Sequence, residues 1–418
     1  IRVLMISDVF FPRVNGVSTS IATFRRALAA QGVEVRLIAP RYAGEAEEPG
    51  IVRVAGRRLP LDPEDRLVDA RAMHAAALRE AAVCDLVHIQ TPFLAHRAGL
   101  RAARAQGRPV LLTYHTFFEE YLHHYLPFLP AGVLRGLARR VSRTQCNAVD
   151  AVVVPSTAMH ERLAGYGVRS PMEVLPTGIP LQDFAAGDGP HFRRLYDIPE
   201  DAPMALYIGR VAHEKNIGFL LEVATRLKAR RPDFVLVVAG EGPANARLQR
   251  QALAAGLGST VRFVGYLERR RRLPDCYAAA DVFVFASRTE TQGLVLLEAM
   301  AAGLPVVALS AMGTTDILRS ERGARIAPDH PDGFAAVVDV DRPATVAVGV
   351  DVDDNAVCAA QIGPPSPPPP KSTPACSRVN EPVTGSVRIP NREVIGPAAG
   401  CAQPSALTWP GVVDSHQG

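Results

Sequence analysis

Short apolar runs bounded by turn residues alternate with longer stretches whose apolar positions recur at helical spacing. This alternation predicts parallel sheets joined by crossover helices. Two series of runs follow one another. The first comprises VLMIS, VRLIA, LVHIQ, VLLTYHT, AVVVPS and MEVLPTG, with helix-like intervals that include 17–31 and 66–82. The second comprises ALYIGR, FVLVVAG, VRFVGYL, DVFVFAS and PVVALS, separated by helix-like intervals at 216–230, 243–256, 270–280 and 293–302. The expected fold class is therefore α/β, with two doubly wound domains facing each other. Between Gly178 and Ala202, Pro, Gly and Asp accumulate without an apolar period, which reads as the interdomain linker. The expected domains span 1–182 and 183–336.

From Val337 the composition changes. Residues 337–418 hold 13 of the 35 prolines, including PPSPPPP at 364–370, and Leu407 is their only leucine. With so little to bury, this low-complexity tail is expected to stay disordered or polyproline-like. The abrupt loss of Leu and gain of Pro also reads as an altered or out-of-frame extension.

A chain of 418 residues that is 48% hydrophobic can bury two cores. Its net charge of +4 is unevenly spread: residues 1–336 carry 41 Lys and Arg against 34 Asp and Glu, and residues 337–418 carry 5 against 8. A basic body suits nucleotide phosphates, an anionic membrane or nucleic acid, and charge alone does not choose. Cysteines 84, 146, 276, 358, 376 and 401 are scattered, which excludes a zinc-type spacing or a disulfide framework and fits a reduced, cytoplasmic protein. Ile1 opens straight into IRVLMIS with no charged leader and cleavage site, and the missing initiator Met places the expected true N-terminus upstream. No run reaches the roughly 18 apolar residues of a membrane span, so any membrane contact is expected to be peripheral.

In open α/β sheets, ligands gather beyond the carboxyl ends of the strands. Four groups of residues fall there. Thr289, Glu290, Thr291, Gln292 and Gly293 form a polar turn leading into LVLLEAMAAG, where the first amides of a helix lack partners and suit a phosphate or diphosphate. Glu290 in that turn and Glu298 inside the helix offer carboxylates to sugar hydroxyls at two depths. Read blandly, Glu290 favours the helix dipole and Glu298 is a solvated helical residue. Gly209 and Arg210, with Lys215 close behind, combine a planar fork and a mobile charge suited to a diphosphate, or else form a solvated loop. Gly240, Glu241, Gly242 and Pro243 resemble a phosphate loop without the full glycine pattern. In the first series, amides near Gly16 to Ser18 follow an Asn–Gly turn, and His115 ends a strand where an imidazole reaches a sugar or simply packs.

After His115 come Phe117, Phe118, Tyr121, Tyr125 and Phe128, interleaved with His123 and His124. Residues 133–143 then place Val133, Leu134, Leu137, Ala138 and Val141 on one helical stripe and Arg135, Arg139 and Arg143 on another. Such a helix either rests on an anionic bilayer or turns its apolar stripe to the core. The arginines at 269–272 read as a solvated helix start.

DVFFPRVNGVS, YHT, AVVVPS, LPTGI, GRVAHEKN, AGEGP and above all TETQGLVLLEAMAAGLPVVA, with two glutamates separated by seven residues, resemble glycosyltransferase family 4 over residues 1 to about 336. The resemblance implies a GT-B fold of two facing Rossmann-like domains, an acceptor-side domain at 1–182 and a nucleotide-sugar domain at 183–336. It implies a retaining transfer of a hexose from a nucleotide-diphosphate sugar, without a metal or other cofactor. Glu290 and the amides of Thr291, Gln292, Gly293 and Leu294 would hold the donor sugar and diphosphate, and Glu298 the ribose. Arg210 and Lys215 would neutralise the diphosphate, His115 would contact the sugar near the reacting carbon, and Gly16 would line the diphosphate from the acceptor side. Within the family, the motifs look most like transferases of membrane lipids, such as diacylglycerol glucosyltransferases and glycolipid mannosyltransferases. A lipid acceptor, peripheral contact with the inner face of the cell membrane and no nucleic-acid partner follow as expectations. A sugar-nucleotide epimerase of the same fold is the alternative enzyme. A sugar-nucleotide-binding protein without turnover is a third reading, because the closing helix usual in the family is not seen after Ala336.

Overall fold

The apolar runs of both series become strands covered on their two faces, which is why they are continuously apolar rather than alternating. The computed structural model describes residues 1–43, 48–58, 66–115, 117, 131–269, 271–319 and 322–340. The first sheet contains β1 (Arg2–Ile6), β2 (Glu34–Pro40), β3 (Ile51–Val54), β6 (Leu86–Ile89), β7 (Val110–Thr113), β8 (Ala151–Val154) and β9 (Met172–Val174). Its order is β3-β2-β1-β6-β7-β8-β9, with parallel pairing throughout. A short antiparallel ribbon, β4 (Gly56–Arg58) with β5 (Arg66–Val68), stands beside it. The helices of this half are α1 (Gly16–Ala30), α2 (Ala70–Ala81), α3 (Leu94–Gln106), α4 (Ala131–Cys146) and α5 (Thr157–Gly165).

The second sheet contains β10 (Met204–Ile208), β11 (Val235–Ala239), β12 (Val261–Gly265), β13 (Val282–Phe285), β14 (Val306–Ala308) and β15 (Ala324–Ile326). Its order is β12-β11-β10-β13-β14-β15, again all parallel. Around it lie α6 (Gly189–Leu195), α7 (Ile217–Arg230), α8 (Asn245–Ala254), α9 (Arg272–Ala279), α10 (Leu294–Ala301), α11 (Thr314–Leu318) and α12 (Pro331–Val340). At its centre the buried rings of Phe283 and Phe285 lie 6.1 Å apart, and Tyr207 stacks on Phe285 at 5.9 Å. Strand order reverses between β1 and β6 in one sheet and between β10 and β13 in the other. The carboxyl ends of these four strands are where an open α/β sheet receives ligands.

Four local expectations need correction. The interval 66–82 begins as strand β5, because Val68 is buried against the first core before Asp69 caps α2. The stretch 178–202 is more than a linker: α6 and Phe184, Phe192 and Ile198 belong to the second core. β15 is a strand of three residues, too short to show a period. Helix α12 runs four residues past Ala336, since its Phe334, Ala335 and Val338 form a buried stripe, with Phe334 edge-on to Phe219 of α7. The expectations for the tail concern, from residue 341 on, positions outside the described residues.

Candidate active site

At the second reversal of strand order, two loops are built main chain on main chain. β10 is followed by Gly209, whose φ of +153° suits glycine, and Tyr207 beneath it donates its hydroxyl to the Arg210 carbonyl at 3.1 Å. Burial holds the Tyr207 phenol well above its usual pKa, reinforced by the nearby charges of Glu290 and Glu214. In the loop after β11, a Cβ on Gly240 would run into the Gly209 carbonyl, and one on Gly242 into that of Val211. Val211 in turn donates its amide to Glu241 at 2.8 Å and accepts from Ala244 at 3.0 Å. The glycines of AGEGP therefore serve this close approach.

Past Arg210, which is half-buried, a single 3-10 turn at His213–Lys215 ends in Asn216 with φ +55°. Asn216 donates its side-chain amide to Ala286 at the end of β13, at 3.1 Å. This tie carries Lys215 across to the next loop, where its Nζ lies 2.6 Å from Glu290 Oε1. Gly293, with φ +95°, starts α10, so the amides opening that helix follow Glu290 directly. Gly313 donates its amide to the Glu290 carbonyl at 2.9 Å and has no room for a Cβ against the Thr291 carbonyl.

Glu298 lies in the second turn of α10 and is only 4% exposed. Arg269 reaches one carboxylate oxygen at 3.0 Å and the Tyr277 hydroxyl the other at 3.1 Å. Burial raises the pKa of this carboxyl, while Arg269 and Tyr277 oppose the rise. Arg269 also covers the Phe184 ring at 5.5 Å. Glu298 is buried and Arg269, half-buried, lies ahead of α9 rather than in its start, which corrects the bland reading of Glu298 and the reading of Arg269 as part of a solvated helix start. Glu268 and Arg271, with Tyr266 and Arg272, line a cavity of about 640 Å³.

The first half contributes His115, after β7. Its Nε2 lies 3.0 Å from Gln90 Oε1, and burial pushes its pKa down to about 4, so the ring is neutral at neutral pH. Its carbonyl accepts from the Thr291 hydroxyl at 3.3 Å, which joins the two halves one residue from Glu290. A second junction is tighter. The Gln292 side chain accepts from the Thr177 amide at 2.9 Å and donates to the Thr177 carbonyl at 2.8 Å, and the Thr177 hydroxyl lies 2.7 Å from that of Ser20 on α1. The expectation for Gln292 concerns its backbone amide; its side chain pairs with this buried backbone. Gly16 opens α1, exposed and with open space beside it, whereas the Ser18 amide expected nearby is already taken by the Asn15 cap at 2.8 Å.

The structure thus joins Glu290 to Lys215, Thr291 to His115 and Gln292 through Thr177 to the helix that Gly16 opens. Sequence reasoning missed Gln90, Thr177, Tyr277 and the role of Arg269. It also passed over Asp8 at the end of β1, whose carboxylate caps α3 through the Ala95 amide and accepts from Thr91 at 2.7 Å. Asp8 and Gln90 both follow strands that flank the first reversal, and that position was the available signal.

Residues 190–339 match the family model of glycosyl transferases group 1, and residues 14–183 that of glycosyltransferase family 4. An alpha-monoglucosyldiacylglycerol synthase of Streptococcus pneumoniae is 30% identical over 316 residues, covering 73% of this chain and 70% of that protein. A GDP-mannose-dependent alpha-mannosyltransferase of Mycobacterium tuberculosis is 30% identical over 351 residues, covering 81% of this chain and 88% of that protein. The chain belongs to this glycosyltransferase family. Its fold is that of GT-B transferases. Anabaena HepE in complex with UDP-glucose superposes with a TM-score of 0.64 at 17% identity over 82% of this chain and 92% of that one. Sucrose-phosphate synthase of Thermosynechococcus elongatus gives 0.65 at 22% identity over 82% and 90%.

Among the described residues of the transferase, no helix is long and apolar enough to cross a membrane. Helix α4 buries Leu134 and Ala138 but leaves Val133 58% and Leu137 43% exposed, alongside exposed Arg135, Arg139, Arg140 and Arg143. The apolar stripe expected there is therefore split between core and surface. Phe117 is buried beneath the Arg162 guanidinium at 5.5 Å, and the aromatic residues expected at 118–128 lie outside the described residues.

Proposed function

We propose that this transferase moves a hexose from a nucleotide-diphosphate sugar to a hydroxyl of a membrane lipid, with retention of the anomeric configuration. The observation that carries the reading is the 2.6 Å pair of Lys215 and Glu290 at the start of α10, where a cation for phosphate and a carboxylate for sugar meet. In this reading the chain divides at 182/183 into an acceptor-side and a donor-side domain.

The diphosphate lies on the amides of Thr291 to Leu294, with Gly16 on its other side. Glu290 accepts from sugar hydroxyls, and Lys215 stands beside the sugar–phosphate bond. As that bond breaks, its electron pair leaves with the diphosphate, the acceptor oxygen bonds the same carbon and its proton passes to the departing phosphate oxygen; Lys215 and Arg210 meet the developing charge without having to reorganise. His115, neutral and held from both halves, contacts the sugar near the reacting carbon. Glu298, oriented by Arg269 and Tyr277, keeps lone pairs on both oxygens for the ribose hydroxyls. The cavity beside Glu268 and Arg271 receives the base.

The lipid acceptor is supported by the names of the relatives and by α4, whose exposed Val133 and Leu137 stand among arginines, as an anionic leaflet requires. The transferase then works as a peripheral protein on the cytoplasmic face of the membrane.

The test is a panel of labelled UDP-glucose, UDP-galactose and GDP-mannose, each with vesicles containing diacylglycerol or phosphatidylinositol. Label in lipid supports the proposal and identifies the donor. Conversion of the sugar nucleotide without an acceptor would point instead to an epimerase, and saturable binding without turnover to a binding protein.

A further inference from the structure

Gln90 stands at the first reversal of strand order, directly after β6, where its amide donates to the Ile6 carbonyl of β1 at 2.9 Å. The side chain is completely buried. Its Oε1 lies 3.0 Å from His115 Nε2, and its Nε2 has no partner among the described residues. A buried amide that uses half its capacity is destabilising against a satisfied one, and an apolar side chain of the same length would fill the space without that penalty. What the amide adds is one bond, to the imidazole. Facing a carbonyl oxygen, the ring nitrogen must be the donor, so His115 carries its proton on Nε2 and keeps Nδ1 as an acceptor. The main chain of the same residue is tied by Thr291 to the donor loop. Ring and backbone are thus fixed from opposite halves of the protein.

We propose that Gln90 is a positioning residue of the transferase: it holds His115 in the Nε2-protonated tautomer, so that Nδ1 accepts a hydrogen bond from a hydroxyl of the donor sugar. The inference rests on the placement of His115 at the donor sugar proposed above. It adds the residue that sets the imidazole's orientation and the sense of its hydrogen bond. The neutral ring that burial maintains is the form such a contact needs.

The experiment combines kinetics with NMR of the full chain labelled at its histidines, the His115 signals being assigned by their loss in His115→Asn. The wild type is expected to show the Nε2-protonated form. Gln90→Met, near in size and without an acceptor, is expected to mix the tautomers and lower turnover at saturating donor by about 10-fold, with the donor KM changed far less. Gln90→Glu, which keeps an acceptor at the same place, is expected to restore the Nε2-protonated form. A wild-type ring protonated on Nδ1, or an unchanged tautomer in a folded Gln90→Met protein, overturns the proposal. So does a mixed tautomer with wild-type turnover while His115→Asn is inactive. Wild-type turnover in His115→Asn itself would instead remove His115 from the donor site, and the tautomer readout would still decide what Gln90 does to the ring.

Discussion

Lys215 and Glu290 approach to 2.6 Å although 75 residues separate them, because Asn216 ties the end of one loop to Ala286, the residue that follows the neighbouring strand. Both side chains are largely buried, so the pair is shielded from the screening that makes surface ion pairs weak. Lys215→Ala and Glu290→Gln are each expected to lower turnover at saturating donor by about 10²-fold. Nucleotide release measured under those conditions decides, and near-wild-type rates in both variants would remove the pair from the site.

Gln292 is a different kind of residue, and its loss should be felt first in stability. Gln292→Leu strands the amide and the carbonyl of buried Thr177, and about 2–4 kcal/mol of destabilisation follows. Urea unfolding monitored by far-UV circular dichroism measures it. A change below about 0.5 kcal/mol, the range of ordinary surface substitutions, would mean that Thr177 finds other partners.

Desolvation pushes the pKa of buried His88 down to about 3 and that of half-buried His115 down to about 4, against an ordinary 6.5. Below about pH 6.5 the unfolded chain binds protons that the native state does not. Stability from these groups is therefore complete above that value and is lost as the pH falls towards about 4 and then about 3. Each histidine adds a slope of up to about 1.4 kcal/mol per pH unit within its window. Denaturant midpoints across that range should fall less steeply in His88→Gln than in the wild type, and parallel curves would contradict the assignment.

Val133 and Leu137 are one helical turn apart on α4, so a single charge at either position breaks the exposed apolar strip. Leu137→Glu is expected to reduce sedimentation with anionic vesicles by about 10-fold, through lost apolar burial and added repulsion, while leaving water-soluble donor binding intact. Undiminished vesicle binding in the double variant Val133→Glu, Leu137→Glu would place the membrane contact elsewhere.

The two sheets and the donor loop were legible because strands covered on both faces must be apolar throughout and because the loops that end them gather Gly, Thr and charge. Glu290, Lys215 and His115 stand out as candidates from that position, and the structure joins the first two directly and the third through Thr291. Glu298 and Arg269 could not be read together: one lies within a helix and the other in a run of arginines, and only the fold reveals that Phe184 and Tyr277 close around them. Gln90 has only its position after a strand at the first reversal as a signal, and its meaning depends on a histidine 25 residues away. The segment 178–202 misled because its helix is short and its buried Phe184 and Phe192 are too far apart to show a period.

At Gly240 and Gly242, the contact between the loops after β10 and β11 involves no side chain on either partner. Nothing an amino-acid replacement can add will fit there, so this part of the site is closed to gradual variation. In the proposed reading, any diversification of the donor then falls on the rim, where Tyr266, Glu268 and Arg271 face open space.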